Sequence, residues 1–370
     1  GDYFKREAIQ WAWEFVTQGL GLSRQSLWVT IYLDDDEAFD YWREVGLPEE
    51  RVNRFGDEEN FWGPAGDTGP CGPCSEIHYD HGEGVGCGRP DCGPNCDCSR
   101  FSEIWNLVFT QYDQQSDGSR IPLPKPNIDT GMGLERTAAA MQGVSSVYDT
   151  DLFTPLIELV GDLTGKKYGK DEATDRAMRV VAEHARAITF LIGDGVLPSN
   201  EGRGYVLRRV LRRAALFGRK LGLEEQFLGS LAETVIGTMS RVYPELKQER
   251  KFIFSTIAAE EARFDQTLNV GLNLLDGFID EAKSNGKDSI SGVDIFKLYD
   301  TYGFPKELTA EVAVENGLSV DLEGFEAEME RQRERARAAR KPVEEKAVIT
   351  EAGIHISKFV GDKRLKYQTS

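Results

Sequence analysis

Four of the chain's six cysteines fall within twelve residues, in the stretch CGRPDCGPNCDC from Cys87 to Cys98. That stretch carries neither the apolar period of a helix nor the alternation of a strand. A loop with so few apolar side chains has no core of its own to fold around, so something else must order it. The spacing Cys87-x4-Cys92-x3-Cys96-x1-Cys98, with Gly and Pro between the thiols, lets a short segment curl until four sulfurs converge on one ion. A soft four-sulfur set of this kind suits Zn²⁺, and its binding would supply the folding free energy of the loop. Two alternatives stand beside this reading: four unpaired thiols in a disordered insertion, or a rival ligand set drawn from Cys71, Cys74, His78 and His81. A saturated four-thiolate site leaves no open position for catalysis. The zinc would be structural, and the chemistry must lie in the flanking segments.

Metal-bound thiols fit a reducing compartment better than disulfides do. No signal peptide opens the chain and no run of about 18 apolar residues occurs, which predicts a cytoplasmic protein with no membrane partner. The chain has 370 residues, 40% hydrophobic and 29% charged, enough for two or three cores. Its formal net charge of -18 argues against general affinity for nucleic acid. Any such binding must come from a local basic patch working against the bulk field.

Before the cysteines, REAIQWAWEFVTQGLGL predicts an amphipathic helix, SLWVTIYL a strand, and DDDEAFDYWREVG a second helix. FWGPAGDTGPCGPCSEIHYD reads as a loop rich in Gly, Pro and Asp that leads into a short strand. After the cysteines, FSEIWNLVFTQY predicts another strand, and PNIDTGMGLERTAAAMQG a glycine-rich turn feeding a helix that begins near Glu135 and Arg136. From about residue 150 the pattern turns helical. DRAMRVVAEHARAITFLIGDG is strongly periodic, with His184 read as a structural helix residue. GYVLRRVLRRAALFGRK sets Arg208, Arg209, Arg212 and Arg213 along one side of a helix. Such a ridge, with Arg203 just before it, suits phosphates; the alternative is a solvated helix face. EGFEAEMERQRERARAARKPVEE is a charged helix running into a linker.

Six of these stretches, GDYFKREAIQWAWEF, GDTGPCGPCSEI, EIWNLVFTQY, DTGMGLER, PSNEGRGYVLRRVLRRA and LYDTYGFPKELT, together and in this order resemble the alanyl-tRNA synthetases, a class II aminoacyl-tRNA synthetase family, over about residues 1 to 365. The resemblance implies an α+β fold, an antiparallel sheet with flanking helices followed by an all-helical tRNA-recognition domain. It also implies a division into an aminoacylation domain at 1–148 with the zinc-knuckle insertion at 84–99, an acceptor-stem domain at 149–342, and a linker with the start of a β-rich domain at 343–370. The implied reaction is ATP-dependent activation of L-alanine to alanyl-adenylate, then transfer to the alanine tRNA, with Mg²⁺ accompanying ATP. Trp62, Glu103, Ile104, Trp105, Gly131, Gly133 and Arg136 would contact ATP, and Asn106 and Asp129 would hold alanine. A carboxylate is the natural partner of an α-ammonium group, and a guanidinium of an adenine ring and a phosphate. For Arg136 the alternative is a helix-surface pair with Glu135 or a neighbour, and for Glu103 an exposed strand carboxylate.

The resemblance assigns recognition of a G·U pair in the acceptor stem to Asn200 and Asp300; by its local sequence alone Asp300 would be a loop or cap residue. It also makes Cys71 and Cys74 loop residues without a redox task. The opening GDYF corresponds to the far end of the family's second motif. The chain is therefore read as a monomeric piece of a longer synthetase, without the α-phosphate arginine and without the editing and oligomerisation regions, and by itself inactive in adenylate formation. A pocket shaped for alanine rejects glycine or serine by only about 1 to 3 kcal/mol, so the editing region matters to accuracy. A non-catalytic stem-binding module is the alternative function.

Overall fold

An apolar stripe along KREAIQWAWE builds α1 (Lys5–Glu14), which buries Ile9, Ala12 and Trp13 and ends in a π-helical turn, Phe15–Gly19. In the computed structural model, which describes residues 2–64, 66–223 and 226–339, the chain then enters β1 (Leu27–Tyr32). Alternate residues Leu27, Val29 and Ile31 of β1 are fully buried on one face of the sheet. α2 (Asp36–Glu44) is N-capped by Asp35, whose Oδ1 accepts from the Ala38 amide at 3.1 Å and pairs with Lys5 Nζ at 2.7 Å. β2 (Val52–Phe55), α3 (Asp57–Asn60) and β3 (Phe61–Trp62) follow, then the long strands β4 (Gly69–Asp80), β5 (Phe101–Gln114) and β6 (Arg120–Met132), and α4 (Leu134–Gln142).

The six-stranded sheet runs β2-β1-β4-β5-β6, with β3 added against β4. The long strands are antiparallel, but β2 joins β1 in parallel after the α2 crossover, so the sheet is mixed. Two stretches expected as loop and turn are strand. GPCGPC opens β4, because Gly72 lies flush on the neighbouring strand; a Cβ there would sit 2.0 Å from the Phe109 carbonyl oxygen. PNIDTGM closes β6, an exposed edge strand in which Pro122, Pro124 and Pro126 lack N–H groups on one side only. One face of the sheet packs Ile77, Leu107 and Phe109 against Trp13, Trp42 and Ala140. The other face carries polar side chains.

A second core is built by α5 (Thr154–Thr164), α6 (Glu172–Gly193), α7 (Gly202–Leu221), α8 (Leu228–Met239), α9 (Glu245–Gln248) and the first turns of α10 (Arg250–Ser284), around Met178, Ile188, Leu211, Leu231 and Ile253. Both cores lie in one compact unit, Gly1–Asn269. The other unit, Val270–Ser370, holds the rest of α10, β7 (Ser289–Ile290), α11 (Gly292–Tyr302), α12 (Lys306–Glu315), β8 (Ser319–Val320) and α13 (Leu322–Ala339). The dipeptide strands β7 and β8 pair in parallel, and Phe325 packs edge-on against Tyr299 at 5.4 Å. The linker and β-rich start expected at 343–370 lie outside the described residues. Among the described residues no helix is long and apolar enough to cross a membrane.

The N-cap of α8 is Phe227, whose side chain makes no capping hydrogen bond. Buried Glu261 of α10 takes that task, accepting from the amides of Phe227 and Leu228 at 3.2 and 3.1 Å. Burial pushes its carboxyl up to about 7. A raised folded-state pKa means that this contribution to stability is complete below the usual carboxylate range and is lost as pH rises through about 7. Glu261→Gln keeps an acceptor for both amides without burying a charge. Its thermal midpoint is expected to gain on the wild type between pH 5 and pH 8; a wild type that gains on the variant over that range would contradict the assignment.

Candidate functional site

Strand register assembles the polar face. Thr30 of β1 lies opposite Glu76 of β4, Glu76 opposite Asn106 of β5, and Asn106 opposite Gly131 of β6. One step along, Val108 faces Asp129. Side chains at matched and alternate positions share a face, so Glu76, Asn106 and Asp129 project to the same side. A Cβ built on Gly131 would meet nothing within 4 Å, leaving the floor beside Asn106 open. Asn106 Nδ2 donates to Glu76 Oε1 at 3.3 Å, while Glu76 Oε2 lies 3.1 Å from His78 Nε2 and accepts from Thr30 Oγ1 at 3.2 Å. Asn60 Nδ2 in turn donates to Thr30 Oγ1 at 2.9 Å. Because a carboxylate offers only acceptors to Asn106, its amide oxygen must point away, and that oxygen is buried without a partner. Asp129 is exposed, with Oδ1 accepting from the Thr130 amide at 2.8 Å. An unpaired buried oxygen and an exposed carboxylate on one face make a receptor for a donor-rich cation such as an ammonium group.

A β-bulge between Ile77 and His78 sets the far end of this face. It places Glu103 opposite His78, on the side of Asn106, despite the odd spacing of the two in sequence. Arg136, in the first turn of α4, donates through Nη1 to the Glu103 carbonyl and to Oε2, each at 3.0 Å. Its partner is thus Glu103, 33 residues away, and not Glu135. Glu135 instead pairs with Arg186 of α6. The Gly133 amide donates to the Ile104 carbonyl at 3.0 Å, tying the start of α4 to β5.

The other expected ATP contacts scatter more. Ile104 is buried in the opposite face's core. Trp105 also turns that way, packing edge-on against Phe15 at 5.7 Å and donating from Nε1 to Thr130 Oγ1. Trp62 is 47% exposed on β3, opposite Gly72 of β4. Cys71 and Cys74 are buried strand residues, not loop residues. Burial, reinforced by Glu76, pushes the Cys74 thiol up to about 12, so no thiolate is available at neutral pH. Glu76, Thr30 and Asn60 escaped notice in the sequence, and His78 was weighed only as a metal ligand. The signal was there in CSEIHYD, whose polar residues recur at alternate positions of a strand.

The cysteine-rich segment joins β4 to β5 and is pinned at its base by Arg100, whose Nε and Nη2 donate to the Asp80 carboxylate at 2.8 and 2.9 Å. All four sulfurs of Cys87, Cys92, Cys96 and Cys98 lie within 4.8 Å of one another. Cys87 and Cys96 are 3.6 Å apart and Cys92 and Cys98 3.5 Å. A tetrahedron with sulfurs about 2.3 Å from a central Zn²⁺ has edges of about 3.8 Å, so the donor set fits the ion. Hydrogen bonds from the Arg89 backbone and guanidinium pull the Cys87 thiol down to about 6, favouring the ligating thiolate. The rival set fails on placement: Cys71 and Cys74 are buried in β4, and His78 is bound to Glu76. Elemental analysis should find one zinc per chain, lost when Cys87 and Cys96 are changed to Ser; zinc content unaffected by those changes would remove the site.

In α7 the arginine ridge turns partly inward. Arg212, 9% exposed, donates through Nε and Nη2 to Glu260 Oε1 at 2.9 and 2.6 Å, and Arg208 Nε lies 3.1 Å from the same oxygen. Burial of Arg212 draws its pKa below the usual arginine value, against the pull of Glu260. Arg213 lies 2.9 Å from His184 Nε2, while Arg203 is exposed and Arg209 half-buried. Arg208 also donates to Asn200 Oδ1. Glu260 was not foreseen, although it falls on the three-to-four-residue stripe of Ile257, Phe264 and Leu268 that lines the core. Asp300 is neither loop nor cap; it lies exposed within α11 and accepts from Gln332 Nε2.

A family model described as tRNA synthetases class II (A) matches residues 1–370. The chain is 59% identical over 352 residues to an alanine–tRNA ligase of Dehalococcoides mccartyi, covering 95% of this chain and 40% of that protein. It is 51% identical over 353 residues to that of Natranaerobius thermophilus, with the same coverage. With the alanine–tRNA ligase of a Thermoanaerobacter species it shares 51% over 365 residues, 98% of this chain and 41% of the relative. The chain spans about 40% of the length of these curated relatives.

Proposed function

Since the chain belongs to the class II (A) tRNA synthetase family, we propose that its polar sheet face binds L-alanine and ATP, joins them as alanyl-adenylate, and works with the helical region to charge the alanine tRNA. The observation that carries this reading is the placement of Asn106, Asp129 and open Gly131 side by side on one face, with Arg136 and Glu103 at its end. Asp129 and the unpaired Asn106 oxygen receive the α-ammonium group. An oxygen of the amino acid's carboxylate then attacks the α-phosphorus of ATP; the new P–O bond forms as the bond to pyrophosphate breaks, and pyrophosphate leaves with that bond's electrons. In the second step a hydroxyl of the tRNA's terminal ribose attacks the activated carbonyl and AMP departs. No side chain is a nucleophile, which accords with the un-ionised Cys74. Catalysis is positioning and charge neutralisation.

Arg136 and the first-turn amides of α4 face the phosphates, an arrangement suited to anions. Mg²⁺ entering with ATP would be held by Glu103 and would supply further neutralisation of phosphate charge. Glu103 and Arg136 hold one another while the nucleotide is absent, so ATP must exchange that pair for its own contacts. Ile104 and Trp105 support the site from the opposite face, and Trp62 borders it at the β3 edge.

For the tRNA, Asn200 and Asp300 are assigned to the G·U pair of the acceptor stem, whose edges lie in a wide, shallow minor groove. Arg203 and Arg209 are assigned to phosphates; Arg208, Arg212 and Arg213, tied to Glu260 and His184, shape the surface beneath. The two cores support a functional boundary at 148/149 within the first unit, and the cytoplasm is the compartment assigned. Charging of acceptor-stem helices tests the reading. A G·U stem should be charged with alanine and its G·C counterpart should not; charging of both at equal rates would overturn the stem assignment.

A further inference from the structure

We propose that Glu260 is a positioning residue: through Arg208 it fixes the side-chain amide of Asn200 so that the nitrogen, and not the oxygen, faces outward toward the acceptor stem. This rests on the assignment of Asn200 to that stem. A guanidinium carries donors and no acceptor. The Asn200 atom that meets Arg208 must therefore be the oxygen, and Arg208 Nη1 does donate to Asn200 Oδ1. Turning the amide over would set its NH₂ against the guanidinium's own donors. With the oxygen taken, Asn200 presents two N–H donors from an exposed position. Donors at that place match acceptors on the minor-groove edge, pyrimidine O2 or purine N3, and do not match the guanine amino group.

Such an orientation holds only if Arg208 is itself fixed, and Glu260 fixes it. Glu260 is 1% exposed. Its Oε1 forms an ion pair with Arg208, 3.1 Å from Nε but without hydrogen-bond geometry, and accepts from Arg212 Nε and Nη2. Two guanidinium groups on one buried carboxylate leave Arg208 little freedom, and its other arm, Nη2, reaches the Pro198 carbonyl at 3.5 Å. The loop bearing Asn200 is pressed on α7 as well. A Cβ at Gly204 would lie 2.2 Å from Ser199 Oγ and 2.3 Å from the Leu197 carbonyl oxygen, so only glycine allows this approach. The Ser199 amide donates to the Gly204 carbonyl at 3.1 Å, closing the loop onto the helix.

The test measures, in the protein carrying these residues, the ratio of charging rates for a G·U stem and its G·C counterpart. Glu260→Gln and Arg208→Lys are each expected to lower that ratio about tenfold, the worth of one base-edge contact. Combined with Asn200→Ala, Glu260→Gln should lower it no further, because both changes remove the same contact. A Glu260→Gln effect that falls equally on both stems, or that adds in full to that of Asn200→Ala, would overturn the proposal. Loss of the preference in Asn200→Ala with its retention in Glu260→Gln would sink the clamp alone. Retention in Asn200→Ala itself would sink the stem reading and the clamp with it. If Glu260→Gln lowers the thermal midpoint so far that it is unfolded under assay, Arg208→Lys, which keeps the charge and loses the fork, decides the matter by the same ratio.

Discussion

Replacing Asp129 with Ala is expected to lower alanine-dependent pyrophosphate exchange by about 10²- to 10³-fold, because a charge-assisted contact to a bound ammonium group is worth roughly 3 to 4 kcal/mol when its partner is left unpaired. Asp129 reaches the amino acid and not the nucleotide, so the loss should appear in the alanine concentration dependence and leave that of ATP nearly unaltered. Asp129→Asn keeps the shape and an acceptor without the charge and should fall between the two. Neighbouring Asn106 offers one buried oxygen whose orientation Glu76 dictates. Glu76→Gln, which frees the Asn106 amide to turn over, should therefore weaken alanine more than ATP. Exchange kinetics of Asp129→Ala within a few-fold of the wild type would take the ammonium site away from this face.

The second large effect concerns the stem. Asn200→Ala and Asp300→Ala are each expected to reduce the preference for a G·U over a G·C acceptor stem by about 10- to 100-fold, the range for loss of one good base-edge contact, while exchange, which involves no tRNA, continues. Donor and acceptor roles separate the two residues. Asn200 faces outward with its nitrogen, whereas the Asp300 carboxylate can only accept and matches the guanine amino group. Removing that amino group with an inosine·U stem should therefore abolish the effect of Asp300→Ala and preserve that of Asn200→Ala. Equal loss from both variants on both stems would show that neither residue reads a base edge.

Periodicity alone located β1, α1, α6 and α7, because each buries one face and so repeats apolar residues at 2 or 3.6 positions. It failed where burial was not the ordering force. β6 is exposed along almost its whole length and carries alternating prolines; it is a strand because β5 pairs with it, a fact no local pattern records. The first residues of β4 are Gly and Pro because a neighbouring backbone presses on them, and the same residues read locally as loop. β2, only VNRF, is too short to alternate visibly.

The site followed the same divide. The four cysteines stand out by their spacing and could be named from the chain itself, whereas Asp129 and Arg136 were named only through the family resemblance, a lone carboxylate or guanidinium being too common to mark a site. Relations between distant residues could not be read from the chain. The bulge that brings Glu103 round to the face of Asn106, the pairing of Arg136 with Glu103, and the burial of Arg212 on Glu260 are properties of register and packing across 33 and 48 residues of chain.

Amino-acid-dependent exchange of pyrophosphate into ATP tests the central claim most directly. In the protein that carries these residues, L-alanine should support exchange, glycine and serine should support it less by the modest factor that one methyl or hydroxyl allows, and amino acids with larger side chains should not support it. Absence of exchange with alanine, or exchange that is faster with a larger amino acid, would contradict the assignment of the Asn106 and Asp129 face to alanine activation.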